Sequence, residues 1–389
     1  MTATPCPVCG AERWEPVLRV SSVPVTVGSL LPSRSAAVDT CRGEIDLAFC
    51  ASCGLIHNLS FDPAAVDYAA TYETSQFFSP TFARYARSLV DRLVARYDLV
   101  GSIVVDIGCG KGDLLALFLD AGVGRGVGVD PSYGGEQAEL ERSGRLRVVR
   151  DPYRGQLAGE AGDVGLWSCR HVLEHVTEPA ELLTSIRQDM ADKAVIYLEV
   201  PDGAFVLGDS GLWDVIYPHV SYFTAPSLRA LADRCGFEVL DVRSDFGGQF
   251  LGLEAQPAQR RATETDGDVV QSVRQQAAAL AQCFQRSVGR WNAELGARRG
   301  RGTTALWGAG SRGVTFLNTT AAGEIVDVVV DINPRKHGSY VPGTGQEIIG
   351  PEALRDLRPA TVVVMNPNYE PEIRAELAAL DLNPEVVCA

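Results

Sequence analysis

The stretch Ile103-Val-Val-Asp-Ile-Gly-Cys-Gly-Lys-Gly-Asp113 decides the fold. Ile103 to Val105 is a β-branched apolar run that reads as a buried parallel strand. The run meets Asp106, and glycines follow at alternate positions, Gly108, Gly110 and Gly112. Asp113-Leu-Leu-Ala-Leu-Phe-Leu then reads as a helix start. Strand, glycine turn and helix in succession let a nucleotide lie against backbone, because the missing Cβ atoms leave room for it. A dinucleotide loop wants a wider gap between its second and third glycines; here the spacing is Asp-x-Gly-x-Gly-x-Gly. A second strand candidate, Gly126-Val-Gly-Val-Asp130, also ends in an acid, and a carboxylate there can accept both hydroxyls of a ribose.

This pattern resembles class I S-adenosylmethionine (SAM) methyltransferases. The resemblance implies a Rossmann-like α/β domain holding SAM with Asp106, Gly108, Gly110, Gly112 and Asp130. Asp151 closes the next strand candidate, Arg147-Val-Val-Arg-Asp151, where a polar residue can receive the adenine amino group. Tyr72 lies in the aromatic stretch Tyr68 to Pro80, which can cover the donor as a lid or simply pack between neighbouring units.

The chain has 389 residues, more than one ordinary core accommodates, so two or three domains are expected. A formal net charge of -14 argues against a nucleic-acid partner, though a local basic pocket still suits an anionic sugar nucleotide. No run is long and apolar enough to span a membrane, and the N-terminus lacks signal-peptide features; a cytoplasmic protein is expected, monomeric or a small homo-oligomer.

Four of the ten cysteines stand as Cys6-Pro-Val-Cys9-Gly and Cys50-Ala-Ser-Cys53-Gly. Each pair puts two thiolates on a tight turn, and two such turns make a tetrahedral four-thiolate site that suits structural zinc. A cytoplasmic chain disfavours disulfides instead. Cys41 and His57 lie nearby as substitute ligands.

Two further stretches carry chemistry. His171-Val-Leu-Glu-His175 follows the strand candidate Asp163-Val-Gly-Leu-Trp-Ser168 and is expected to open a helix running through Glu181 and Ile186. Its spacing fails the zincin pattern, which needs glutamate directly after the first histidine. In SAM methyltransferases a similar segment borders donor and acceptor. The strand Ala194 to Pro201 comes next. Trp213-Asp-Val-Ile-Tyr217-Pro-His219-Val-Ser-Tyr222-Phe-Thr then brings an imidazole and two phenols, all able to move protons, over the carboxyl end of the sheet. A helix from about Pro226 and two strands, Phe237 to Val242 and Gly248 to Leu253, close the domain.

Val269 to Ala297 reads as a polar connecting helix with an apolar stripe of Leu280, Phe284 and Trp291. Thr304-Ala-Leu-Trp-Gly308-Ala-Gly310-Ser-Arg-Gly313 then starts a second α/β unit with dinucleotide spacing, followed by the strand Val328 to Val330 and by a strand and loop over Thr361 to Tyr369. The expected division is 1–60, a zinc-binding module; 61–258, the SAM domain; 259–302, a linker helix; and 303–389, a second small Rossmann-like domain.

As a whole the chain resembles the three-part NDP-sugar C-methyltransferases of antibiotic deoxysugar pathways. Cys6, Cys9, Cys50 and Cys53 match that family's metal module, Asp106 to Gly112 and Asp130 its donor site. Gly308 to Gly313, Asp331-Ile-Asn-Pro and Met365-Asn-Pro-Asn-Tyr369 match its last domain, which helps hold the sugar nucleotide. The family's catalytic loop reads Ile-Tyr-x-Glu-His; here Ile216-Tyr217-Pro218-His219 is one residue shorter and lacks the glutamate. The resemblance implies methylation of a carbon beside a keto group. His219 is then the base that forms the enolate, Tyr217 or Tyr222 its donor, and His171 or His175 a reserve base. Glu174 or Glu199 is a candidate to orient His219. O- or N-methylation of another small natural product, or SAM and nucleotide binding without catalysis, are the alternatives.

Overall fold

The computed structural model describes residues 4–66, 73, 75–157, 164–258 and 267–389. At its centre lies a sheet of seven strands: β1 Ile103–Ile107, β2 Arg125–Val129, β3 Leu146–Val149, β4 Val164–Arg170, β5 Val195–Pro201, β6 Phe237–Asp245 and β7 Phe250–Pro257. Their order is β3-β2-β1-β4-β5-β7-β6. β1 to β5 are parallel, and β7 is antiparallel to both β5 and β6. Helices cover the parallel strands on both sides, which is why Val104, Val105 and Ile107 are all buried and β1 reads as an unbroken apolar run. The chain enters at β1, winds to β3, and returns to β4 on the other side of β1. The carboxyl ends of β1 and β4 therefore flank a topological switch point, where open α/β sheets leave a crevice for ligands.

Helix Pro80–Tyr97 closes over this sheet. Ser79 caps it by accepting from Phe82 N, Pro80 takes a first-turn position with no amide to satisfy, and Leu89, Leu93 and Val94 are buried. The segment after β4 differs from expectation. His171 to Ile186 is no continuous helix: a 3₁₀ turn, Leu173–His175, precedes a separate helix, Pro179–Asp189. Pro179 disfavours helical backbone in the residue before it, so the helix starts there.

The N-terminal part forms a four-stranded antiparallel sheet of Trp14–Pro24, Arg42–Cys50, Ile56–Asn58 and, from far along the chain, Ser221–Tyr222. The C-terminal part is a five-stranded parallel sheet ordered Ile348–Ile349, Val328–Val330, Thr304–Trp307, Thr361–Val364, Glu385–Cys388. Helix Gly267–Arg298 buries Val270, Val273, Ala277, Leu280, Phe284, Ser287, Trp291 and Leu295 at steps of three and four residues. Far from being a bare connector, it shares one apolar cluster with the N-terminal sheet, residues 206–222 and the C-terminal unit. Trp291 and Trp213 meet the Phe316 ring edge-on at 5.1 and 5.0 Å. Among the described residues no helix is long and apolar enough to cross a membrane.

Candidate active site

The glycine turn after β1 is held open by its own second-strand acid. Gly108, Gly110 and Gly112 all have positive φ, +73°, +54° and +76°. A Cβ on Gly108 would stand 2.2 Å from Val172 Cγ2, so this position admits no side chain. A Cβ on Gly110 would meet nothing within 4 Å, so its backbone faces open space. Gly110 N donates to Asp130 Oδ2 at 2.8 Å, while Ser132 N and Oγ donate to Oδ1 at 2.8 and 2.6 Å. Oδ1 thus has both lone pairs taken, and Oδ2 keeps one for a ribose hydroxyl. Asp106 is buried at 3% exposure with Oδ1 unpartnered, and burial pushes its carboxyl up to about 7. An orphaned buried acceptor beside an open glycine cradle fits a nucleotide donor. Asp151 stands exposed beyond β3. Tyr72 lies outside the described residues.

Val172, seated on Gly108, brings the segment after β4 directly onto this cradle. His171 takes left-handed backbone, φ +53°, uncommon outside glycine. Its Nδ1 is 3.5 Å from Glu174 and its Nε2 3.1 Å from Glu199. The second contact is off the line for a good hydrogen bond, so it acts as charge on charge. Burial opposes protonation, yet the two carboxylates hold the imidazole up at about 9. Glu199 is fully buried and also takes Arg170 Nε at 2.9 Å, Tyr197 Oη at 2.6 Å and the Tyr85 hydroxyl. This set of Arg170, Tyr85 and Tyr197 around Glu199 was not anticipated as a unit; its trace in the sequence is a single charge inside the apolar run of β5.

His219 comes to the same place from the loop after β5. Its ring lies 4.9 Å from that of His175, and one ligand atom each from Glu174, His175 and His219 fall within 4.8 Å of one another. His219 Nδ1 is buried with no hydrogen-bond partner among the described residues. Burial, then the neighbouring His175, push this imidazole down to about 3, so it is neutral. Glu174 is buried with Oε2 unpartnered; despite burial, His171 holds its carboxyl below the usual range. Of the two candidate orienting acids, Glu174 adjoins His219 and Glu199 is engaged by its own partners.

The two phenols are elsewhere employed. Tyr217 is buried under Gly43, and its Oη accepts from Asp62 N at 2.9 Å. Tyr222 Oη accepts from Ile216 N at 2.9 Å and donates to Ile216 O at 3.0 Å, fastening the loop to itself. Its ring remains 5.7 Å from that of His219.

At the N-terminus Cys6 and Cys53 sulfurs lie 3.7 Å apart and those of Cys9 and Cys50 3.5 Å, with all four inside 4.8 Å. Sulfurs at the corners of a tetrahedral zinc site stand about 3.8 Å apart, far beyond a disulfide, so these four can hold zinc. Cys41 and His57 stand outside the group. In the C-terminal unit Asp331 repeats the role of Asp130: its Oδ2 accepts from Ala309 N at 3.0 Å and from buried Lys336 at 2.9 Å. Arg312, in the second glycine turn, reaches back to Asp214 at 2.9 Å and to the carbonyls of Ser210 and Met365. Glu73 joins Asn333 at 3.1 Å and Arg335 at 3.2 Å.

Comparison with known proteins agrees with this geometry. Residues 79–242 match the family described as a methyltransferase domain, and residues 270–384 the family described as a C-methyltransferase C-terminal domain. The chain is 26% identical, over 95% of its own length and 90% of the relative's, to the C-methyltransferase NovU of Streptomyces niveus. Among solved structures it aligns with the 1,6-didemethyltoxoflavin-N1-methyltransferase of Burkholderia thailandensis, at 20% identity over 46% of this chain and 82% of that one, TM-score 0.37. It also aligns with the magnesium protoporphyrin IX methyltransferase of Synechocystis PCC 6803, at 22% identity over 46% and 84%, TM-score 0.36. With a methyltransferase domain and a C-methyltransferase C-terminal domain matched in sequence on one chain, and similarity to a C-methyltransferase running nearly end to end, the chain is an S-adenosylmethionine-dependent methyltransferase similar throughout to C-methyltransferases.

Proposed function

We propose that the acceptor is an NDP-4-keto-deoxysugar of natural-product biosynthesis, methylated in the cytoplasm on the carbon next to the keto group. The observation that carries this reading is His219: an imidazole with an unpartnered Nδ1, grouped with Glu174 and His175 on the segment that Val172 seats on the donor cradle. A carbon–hydrogen bond needs a base before it can become a nucleophile, and an unprotonated imidazole supplies one. SAM, when bound, supplies an electrophilic methyl group on a positive sulfur. His219 takes the α-proton; Glu174 stands ready to favour the imidazolium that results. His171, with its two ring nitrogens turned to Glu174 and Glu199, fixes those carboxylates beside the base. Tyr217 and Tyr222, with hydroxyls already bonded, shape the loop instead. Asp130, the glycine turn and Asp106 hold the donor, and Cys6, Cys9, Cys50 and Cys53 hold a structural zinc.

The test is mass spectrometry of products from a panel of NDP-4-keto sugars, with SAM as donor. The expected result is a gain of one methyl on carbon. In deuterated water the wild type should also exchange the α-proton with an inert SAM analogue bound, and His219→Ala should not. A methyl ether or methylamine product without exchange overturns the carbon mechanism.

A further inference from the structure

Among the described residues His219 Nδ1 has no hydrogen-bond partner, so the position of the ring is set by the backbone on either side of it. That backbone is pinned at two points. On one side, His175 Nδ1 donates to Pro218 O at 2.9 Å. On the other, Ser221–Tyr222 is added as a fourth strand to the N-terminal sheet, with His57 opposite Ser221 and Ile56 opposite Tyr222. Asn58 N donates to Val220 O at 2.9 Å, and Thr224 Oγ1 to Gly54 O at 3.0 Å. A two-residue strand cannot sustain itself. A buried side-chain tie crosses the pair, His57 Nδ1 to Ser221 Oγ at 3.1 Å. His57 is 8% exposed and Ser221 fully buried, and the imidazole is fixed from behind by stacking on Trp14 at 5.7 Å, 22° between planes. His57 follows Cys53 on the strand that leaves the cysteine cluster, so the cluster, the strand and the loop form one continuous support.

We propose that His57 is a positioning residue for methyl transfer: through Ser221 it fixes the loop carrying His219, and so makes the N-terminal cysteine module part of the catalytic apparatus. This rests on the reading that the loop carries the base. Proton abstraction tolerates little displacement, and an error of about 1 Å costs about 100-fold. Removing the tie therefore harms the chemical step and spares donor binding, whose residues lie at the carboxyl ends of β1 and β2.

The experiment compares His57→Ala, His57→Asn and Ser221→Ala in the full metal-bound chain. Turnover is followed with an NDP-4-keto sugar that the wild type accepts, SAM affinity by calorimetry, and local order by hydrogen exchange of peptides spanning 215–224 and 103–112. Both alanine variants should lose about 10- to 100-fold in kcat. SAM affinity and zinc content should hold, and exchange should quicken in 215–224 alone. Asparagine keeps a polar atom near the Nδ1 position and should recover most of the rate. Unchanged kcat and unchanged exchange in both alanine variants overturn the proposal. So does loss of zinc and of global stability in His57→Ala with a normal Ser221→Ala, since His57 then serves only to fold the module. If the wild type turns over no keto sugar, the acceptor assignment fails, and the exchange pattern still decides whether His57 holds the loop.

Discussion

His171 and His219 share one corner of the crevice, and their surroundings drive them apart: two carboxylates hold one imidazole charged at about 9, while burial and a neighbouring histidine keep the other neutral at about 3. Opposed shifts in adjacent groups are how one site obtains an acid and a base at the same pH. His219→Ala should lower turnover by about 100- to 10,000-fold, the range for general acid–base catalysis, and leave calorimetric SAM affinity nearly unchanged. His171 has a consequence for stability. Its folded value lies above the ordinary 6.5, so the folded state holds the proton more tightly. That stabilisation is complete below about 6.5 and disappears as pH rises through about 9. Urea melts of wild type and His171→Gln should thus differ most at pH 6 and converge toward pH 9.5; a constant gap would show His171 to be neutral. Asp130→Ala should weaken SAM binding by about 1–3 kcal/mol, the worth of a charge-assisted contact, with calorimetry as the measure.

At the scale of elements, the parts written in local spacing were legible. Asp-x-Gly-x-Gly-x-Gly after a β-branched run announces strand, turn and cradle, because positive φ and close approach leave glycine little competition. The paired Cys-x-x-Cys turns likewise announce their cluster. What stayed hidden depends on partners distant in sequence. Ser221 and Tyr222 form a strand only because Ile56–Asn58 offers an edge, and nothing near residue 221 encodes that pairing. Tyr217 and Tyr222 looked like proton donors beside His219, yet chain proximity fixes no direction for a side chain, and their hydroxyls turn to Asp62 N and Ile216. The break before Pro179 was readable, and the apolar periodicity of 171–186 obscured it. Gly108→Ala tests the cradle directly. With φ at +73° and Val172 where the Cβ must go, it should destabilise the fold and abolish the SAM-dependent rise in melting temperature.

Across the whole molecule, three sheets are made into one body by helix Gly267–Arg298 and by buried polar ties, so the metal module, the loop and the C-terminal unit should lose structure together. Arg312 is the sharpest probe of that coupling. It sits in the C-terminal glycine turn at 7% exposure, pairs with Asp214 at 2.9 Å and bonds carbonyls on both sides of the junction. Arg312→Met keeps the apolar stem and leaves Asp214 without its cation, which should cost about 3 kcal/mol. If the body is cooperative, near-ultraviolet dichroism and tryptophan fluorescence melt as one transition at a lower temperature, and SAM still protects the variant. Two separated transitions would mean the C-terminal unit folds by itself. The cysteine cluster offers a complementary handle. Metal analysis should return one zinc per chain, lost in Cys50→Ser/Cys53→Ser together with the loop's protection from exchange. A second equivalent, lost in His175→Ala, would instead place a cation among Glu174, His175 and His219. It would take the imidazole nitrogen that a base requires, and proton abstraction would have to pass to another group.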